Sequence, residues 1–259
     1  MPLNAPIQDW RGLRIWLVGA SSGIGAALAL ALLRQGAKVA LTARRDDLLT
    51  GLASAGAAGE ALVLPADVTQ PDALAKAFGA ILERWGGCDV VILIAGTHTP
   101  VRSWDIDSNQ ARQLIDVNLT GAFNVLSVVT PQLCRQGSGG IAVVASVAGY
   151  RGLPTGLVYG ATKAALINVA QTLYLDLAPR GISVWLVNPG FVKTPLTDRN
   201  EFPMPALISA DEAALRIMQG MERGRFEIHF PLRFTRVMKL LRWLPDRWYF
   251  ALIHRMTGL

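Results

Sequence analysis

The chain has 259 residues, 51% of them apolar, and a formal net charge of +6. That length suits one large α/β domain or two small ones, with enough apolar content for a large buried core. Cys88 and Cys134 stand far apart and there are only three histidines, which argues against a disulfide framework and against zinc; a reducing, cytoplasmic compartment and no metal are expected.

The first element, RIWLVG at 14–19, reads as a short buried strand, and AALALALLRQ leading to Gly36 reads as a helix. Between them lies GASSGIG, with Gly19, Ser21, Ser22, Gly23, Ile24 and Gly25. A glycine-rich turn between strand and helix lets the backbone approach a pyrophosphate, and the first-turn amides then point at the anion. The spacing Gly19-x3-Gly23-x-Gly25 differs from the general G-x-G-x-x-G fingerprint. Ile15 to Leu33 carries no charge and has the length of a membrane span. Ser21, Ser22 and three glycines interrupt it and further strand–helix units follow, so the strand–turn–helix reading is preferred.

The second strand is KVALTA, 38–43, with Arg44 and Arg45 at its tip and no acid until Asp46. In dinucleotide folds a carboxylate at this tip selects a free ribose 2′-hydroxyl, whereas an arginine accommodates a 2′-phosphate. Arg44 is the first choice for that phosphate, with Arg45 and Ser21 in reserve, and NADP(H) is expected over NAD. Asp67 ends the next strand, in 61–65 and PADV, where a carboxylate can meet an adenine amino group. Strand-like runs continue at 89–95, 140–146 and 182–187, and FEIHF at 226–230 adds a seventh at a sheet edge. No linker, charge block or repeat interrupts Leu13 to Gly190. The expected fold is therefore a Rossmann-type, doubly wound parallel sheet of about seven strands with helices on both faces, forming a single domain over 1–259.

Ser146, Tyr159 and Lys163 stand as Ser-x12-Tyr-x3-Lys. A tyrosine and a lysine four apart share one helix face, so the ammonium can lie beside the phenol and lower its pKa. A serine hydroxyl from another element can hold a carbonyl or alcohol oxygen in front of the phenol, as proton transfer at a carbinol requires. A surface Tyr–Lys pair at helical spacing is the bland alternative.

The glycine motif, Asp67-Val68, DVNLTG at 116–121, the Ser–Tyr–Lys set and NPGFVKT at 188–194 occur together in the order and spacing of the short-chain dehydrogenase/reductase family, in its single-domain branch, which the chain resembles from Leu13 to Ala214. That resemblance implies an oxidoreductase moving a hydride between a nicotinamide cofactor and a carbonyl/alcohol pair. It implies Tyr159 as acid/base, Lys163 as its partner and ribose ligand, Ser146 as the group orienting the substrate oxygen, and Asn118 as the holder of a relay water. Val68, Ala95, Gly96, Pro189, Gly190, Val192 and Thr194 are then expected along the cofactor. The family's usual Asn-Asn-Ala-Gly is here Leu93-Ile94-Ala95-Gly96, which implies altered stability or cofactor affinity. A catalytically inactive nucleotide-sensing or scaffold protein of the same fold is the rival reading.

Apolar Leu153, Leu157, Phe191 and Leu196 point to a hydrophobic small-molecule substrate, with the loop PLTDRNEFPMPALIS at 195–209 closing over it. The apolar helix regions Val117–Cys134 and 155–178 are expected to pack against a symmetry mate, giving a homodimer or homotetramer. Glu222 to Leu259 is a basic aromatic extension with eight basic residues against three acidic ones. A helix over 231–244 places Leu232, Val237, Leu240, Leu241 and Leu244 on one broad side, with Arg233, Arg236, Lys239 and Arg242 elsewhere. Residues 231–256 are read equally as a cap over the cleft and as a peripheral contact with the inner face of a membrane. The segment contains no recognised nucleic-acid reading module.

Overall fold

The computed structural model describes residues 2–56, 58–199 and 204–258. Seven parallel strands form one sheet: β1 Arg14–Val18, β2 Lys38–Thr42, β3 Glu60–Val63, β4 Val90–Leu93, β5 Gly139–Val144, β6 Ile182–Pro189 and β7 Glu227–Phe230. Their spatial order is β3-β2-β1-β4-β5-β6-β7. β1 pairs with both β2 and β4, Val18 standing beside Thr42 and Leu93. The chain therefore reverses direction across the sheet between β1 and β4, and the crevice at their carboxyl ends is where this class of fold receives ligands.

The central strands are buried along nearly their whole length, as expected of parallel strands covered on both faces. Side chains that alternate along each strand feed two separate cores. Trp16, Val18, Val91, Leu93, Ile141 and Val143 pack on one side. Ile15, Leu17, Val90, Ile92, Ala142 and Val144 pack on the other. Ile15–Leu33, whose composition also suits a span, folds as β1, a turn and helix α1 Gly23–Arg34. α2 (Asp46–Ala55) and α3 (Pro71–Trp85) complete the first half.

The apolar helix region expected from Val117 is longer and interrupted. It comprises α4 Ser108–Ile115, a five-residue π-helical turn Asp116–Thr120, and α5 Gly121–Gln136. Ser108–Gln136 is the one helical run among the described residues long and apolar enough to cross a membrane by length and composition. Its Val125, Leu126, Val129 and Leu133 are buried in the first core. α6 spans Leu157–Leu177 and α7 Ala210–Glu222.

The helix expected at 231–244 forms, and a second helix follows it. Pro245 separates α8 Leu232–Arg242 from α9 Asp246–Thr257. α8 buries Thr235, Met238 and Leu241, while Leu232, Val237 and Leu240 are exposed. The inward face is thus rotated from the expected one. Thr235 is the reason hydropathy misplaces it: the hydroxyl is fully buried yet satisfied, donating to Pro231 O at 3.0 Å and bonding His229 Nδ1 at 2.7 Å.

Candidate active site

Ser146 ends the stretch that follows β5, and its hydroxyl accepts from the Ala148 amide at 3.1 Å, capping the short 147–149 turn. Tyr159 and Lys163 lie four residues apart on α6. The Ser146 hydroxyl is close enough to the Tyr159 phenol to favour its ionised form, so the three-residue set converges. Lys163 is buried and donates from Nζ to Val144 O at 2.9 Å. Its ammonium lies 5.6 Å from the Tyr159 ring centroid.

The electrostatics differ from the expectation in one respect. Burial raises the Tyr159 phenol above its ordinary value, opposed by the Ser146 hydrogen bond, and the Lys163 charge is not among the causes. Burial also pushes Lys163 itself down to about 8.

Asn118 sits in the π-helical turn and is buried. Its amide donates to Thr97 O at 2.9 Å and to Thr162 Oγ1 at 3.2 Å, and its Oδ1 accepts from Thr97 N at 2.7 Å. The extra residue in such a turn redirects a side chain that a regular helix would aim elsewhere. Here it clamps the backbone just after Gly96. The clamp also sets His98, whose ring lies 4.6 Å from that of Tyr159 at a 59° tilt. His98 went unremarked at the sequence level because nothing adjacent in sequence links it to α6.

At the carboxyl ends of β1, β2 and β4 a cleft of about 380 Å³ opens. It is lined by Gly19, Ser21, Ser22, Gly23, Ile24, Gly25, Arg44, Arg45, Asp67, Val68, Ala95, Gly96 and Thr194, all expected from sequence. Ala43, Ala66, Ile94, Thr97, Gln113, Val117, Pro195 and Leu196 line it as well. Pro189, Gly190, Val192, Tyr159 and Lys163 are not on this lining. Gly190 packs against Phe234, and Val192 is buried with its carbonyl taken by Thr197 Oγ1 at 2.6 Å.

The glycines make the cleft possible. Gly19 has φ +106°, and a Cβ there would stand 2.4 Å from Ala95 N. A Cβ on Gly25 would stand 2.1 Å from Gly19 O. The first turn of α1 has no acidic residue and no side-chain cap on its amides, so its positive end faces the cleft open to an anion. Arg45 reaches Ser21 Oγ at 3.0 Å, gathering two of the expected phosphate contacts. Asp67 is half-committed: one carboxylate oxygen accepts from both Thr69 N and Thr69 Oγ1 at 2.9 Å.

The profile of the short chain dehydrogenases matches residues 14–203. The chain belongs to the short-chain dehydrogenase/reductase family. An uncharacterized oxidoreductase of Myxococcus xanthus is 36% identical over 242 residues, covering 93% of this chain and 96% of that protein. One from Staphylococcus epidermidis is 38% identical over 205 residues, covering 79% and 89%. Among solved structures, a short-chain dehydrogenase from Sphingobium yanoikuyae in complex with NADPH superposes with a TM-score of 0.78 at 27% identity, over 90% of this chain and 97% of that one. A 3-ketoacyl-ACP reductase from Sinorhizobium meliloti gives 0.75 at 28%, over 83% and 96%.

Against the short-chain dehydrogenase pattern, the Leu93-Ile94 departure now has a physical account. Leu93 ends β4 inside the first core and Ile94 packs against the second. The strand–strand tie passes to the backbone: Ile94 N and Ala95 N both donate to Val18 O, at 2.9 and 2.8 Å. Apolar packing and these backbone bonds hold the turn here.

A second cavity, of about 240 Å³, lies between the 101–104 and 152–157 segments and α9. Leu153 and Leu157 line it with Tyr249, Phe250, Ile253 and His254. Phe191 instead packs against Phe234, the rings 5.3 Å apart and tilted by 37°, and Leu196 lies on the first cleft. Residues 200–203 of the expected covering loop lie outside the described residues. α9 acts as a cap on this cavity: Tyr249 donates to Gly152 O at 2.7 Å, and the Arg151 guanidinium stacks on the Tyr249 ring at 3.9 Å. Arg151 also donates to Leu244 O at 2.6 Å and pairs with Asp246. α9 thus packs over this second cavity, while none of the residues lining the first cleft comes from α8 or α9.

Proposed function

We propose that this oxidoreductase uses NADP(H) to interconvert a carbonyl and a secondary alcohol on an apolar substrate, with Tyr159 as acid/base. The observation that carries the reading is the convergence of Ser146, Tyr159 and Lys163 beside a glycine-cradled cleft whose far end holds Arg44, Arg45 and Ser21. Gly19, Gly23 and Gly25, with the open amides of α1, fit the pyrophosphate of a dinucleotide. Arg44 and Arg45 fit a 2′-phosphate, since no carboxylate precedes Asp46 at that tip. When bound, the cofactor supplies the hydride.

The chain supplies position and the proton. Ser146 accepts from Ala148 N, and its O–H, which makes a long 3.5 Å contact to Pro189 O, can turn to the phenol or the substrate oxygen. Tyr159 passes a proton to or from that oxygen. Lys163 spends one of its N–H donors on Val144 O and keeps the others for the ribose and the relay. Asn118 fixes the 96–98 backbone through Thr97. The cavity bordered by Leu153 and Leu157 supports an apolar substrate. We place the chain as a single catalytic domain in a reducing cytoplasmic compartment, both cysteines being free, and infer pairing of two copies through the outer faces of α5 and α6, where Phe123 and Leu175 are exposed.

The test is a panel of apolar ketones and alcohols followed by nicotinamide absorbance with both cofactors, on the intact chain and on Arg44→Ala. NADPH should bind the intact chain more tightly than NADH, and Arg44→Ala should lose affinity for NADPH by about tenfold or more with NADH little changed, because the charge-assisted contact exists only for the phosphate. Equal affinity of the intact chain for the two cofactors would overturn the NADP assignment. Tight cofactor binding with no turnover on any member of the panel would favour the nucleotide-sensing alternative.

A further inference from the structure

The cap formed by α8 and α9 has an inner face fixed by Met238, Leu241, Tyr249 and Ile253. Its outer face is unusual for a protein surface. Leu240 is 71% exposed, Trp243 84% and Trp248 70%. On α8 the residues opposite the buried row are Arg233, Arg236, Val237 and Leu240, with Trp243 following the last turn, so basic and apolar side chains alternate on one stripe. α9 continues the pattern with Arg247 and Phe250, the latter 55% exposed. Two tryptophans held in water gain nothing for the fold, and a contiguous apolar patch edged by charge marks a contact surface.

Both the chemistry and the charge choose the occupant. Tryptophan and arginine together suit the headgroup level of a bilayer, where an indole has one apolar and one wet side and a guanidinium meets phosphate. A second copy of the same face would set arginines against arginines in an isologous contact. The patch also adjoins the 240 Å³ cavity. Phe250 belongs to both, and across the cavity Trp104, 80% exposed with Arg102 stacked 5.5 Å above it, repeats the tryptophan–arginine pairing on the opposite rim.

We propose that the outer face of α8 and α9 docks on an anionic phospholipid surface, with the cavity rim of Trp104 and Phe250 turned toward the lipid. This docking does not depend on which cofactor or reaction the cleft serves. Apolar insertion and headgroup attraction act together, and the second is screened within about 8–10 Å at physiological salt. The full chain should therefore float with vesicles of 70:30 phosphatidylcholine:phosphatidylglycerol at low salt and come off progressively as salt rises. It should bind pure phosphatidylcholine far more weakly.

Arg233→Gln/Arg236→Gln/Arg247→Gln should weaken binding to the mixed vesicles by on the order of 100-fold, each basic residue near such a surface being worth roughly a factor of five. Trp243→Ser/Trp248→Ser should weaken it about tenfold or more and reduce the blue shift of tryptophan emission on vesicle addition. None of these side chains packs into the core, so thermal unfolding should be unchanged and confirms that each variant is folded. Failure of the full chain to float on the anionic vesicles at low salt overturns the proposal. So does a tryptophan variant that binds as the parent does while sedimenting as a smaller oligomer, because the face would then be a subunit contact.

Discussion

Replacing Lys163 by methionine should abolish turnover and stabilise the protein. The side chain is 4% exposed and donates to a neutral carbonyl, Val144 O. Burial moves its pKa from 10.5 down to about 8, which corresponds to roughly 3 kcal/mol against the charged form. An unfolded lysine keeps its proton up to about 10.5, whereas the folded one sheds it near 8. Between those values the unfolded chain binds more protons, so this residue makes stability rise with pH across that window and carries its full penalty below it. Methionine removes the penalty, fills a similar volume, and leaves Val144 O without a donor at about 1 kcal/mol. The net gain is roughly 2 kcal/mol at pH 7, or about 4–8 °C in Tm for a domain of this size. Thermal unfolding followed by circular dichroism at pH 7 and pH 10.5 reads it. The gap between variant and parent should be positive at pH 7 and largely closed at the higher pH. A variant less stable than the parent at pH 7, or a gap independent of pH, would refute the reasoning.

Tyr159→Phe should lower turnover by about two to four orders of magnitude with cofactor affinity nearly unchanged, since only the transferable proton is lost; near-parental turnover would remove Tyr159 from its role. Gly25→Ala should cost about 1–3 kcal/mol in urea unfolding and eliminate cofactor binding, because the added methyl meets Gly19 O at 2.1 Å in backbone that cannot yield. Glu227 is raised by burial, but hydrogen bonds from Lys239, Tyr150 and Asn188 outweigh this and hold it below the usual carboxylate range. Its contribution is therefore present above the ordinary value and is lost as pH falls through the lower folded one. Glu227→Gln should loosen α8, seen as faster amide exchange there at neutral pH, with the difference from the parent shrinking in acid.

The parallel sheet was legible because its central strands are buried on both faces and so read as uninterrupted apolar runs, and six strand–helix alternations leave few topologies. The cleft was legible for the same reason it exists: Gly19 and Gly25 approach backbone that no side chain could share. Three things were not. The π-helical turn at Asp116–Thr120 has no signature in hydropathy, although it decides where Asn118 points. His98 meets Tyr159 only through the tertiary clamp on Thr97. On α8, the buried threonine rotates the inward face by satisfying its hydroxyl locally, which a count of leucines cannot detect.

The boundary of the family match has a consequence for how this enzyme can change. The profile common to short-chain dehydrogenases ends at residue 203, so it contains the sheet through β6, the glycine turn and the whole Ser–Tyr–Lys set. Tyr249, Phe250, Ile253 and His254, which wall the second cavity, all come after it. The chemistry and the surface that confronts the cavity are thus written in different stretches of the chain, joined by a few contacts such as Tyr249 with Gly152 and Arg151 with Leu244. Substitutions along α9 can reshape what enters the cavity while the relay and the dinucleotide turn stay as they are. If this cavity takes the apolar substrate, as proposed, exchange of the last thirty or so residues between relatives is a modular route to new substrate preference, provided the residues meeting Gly152 and Arg151 travel with them.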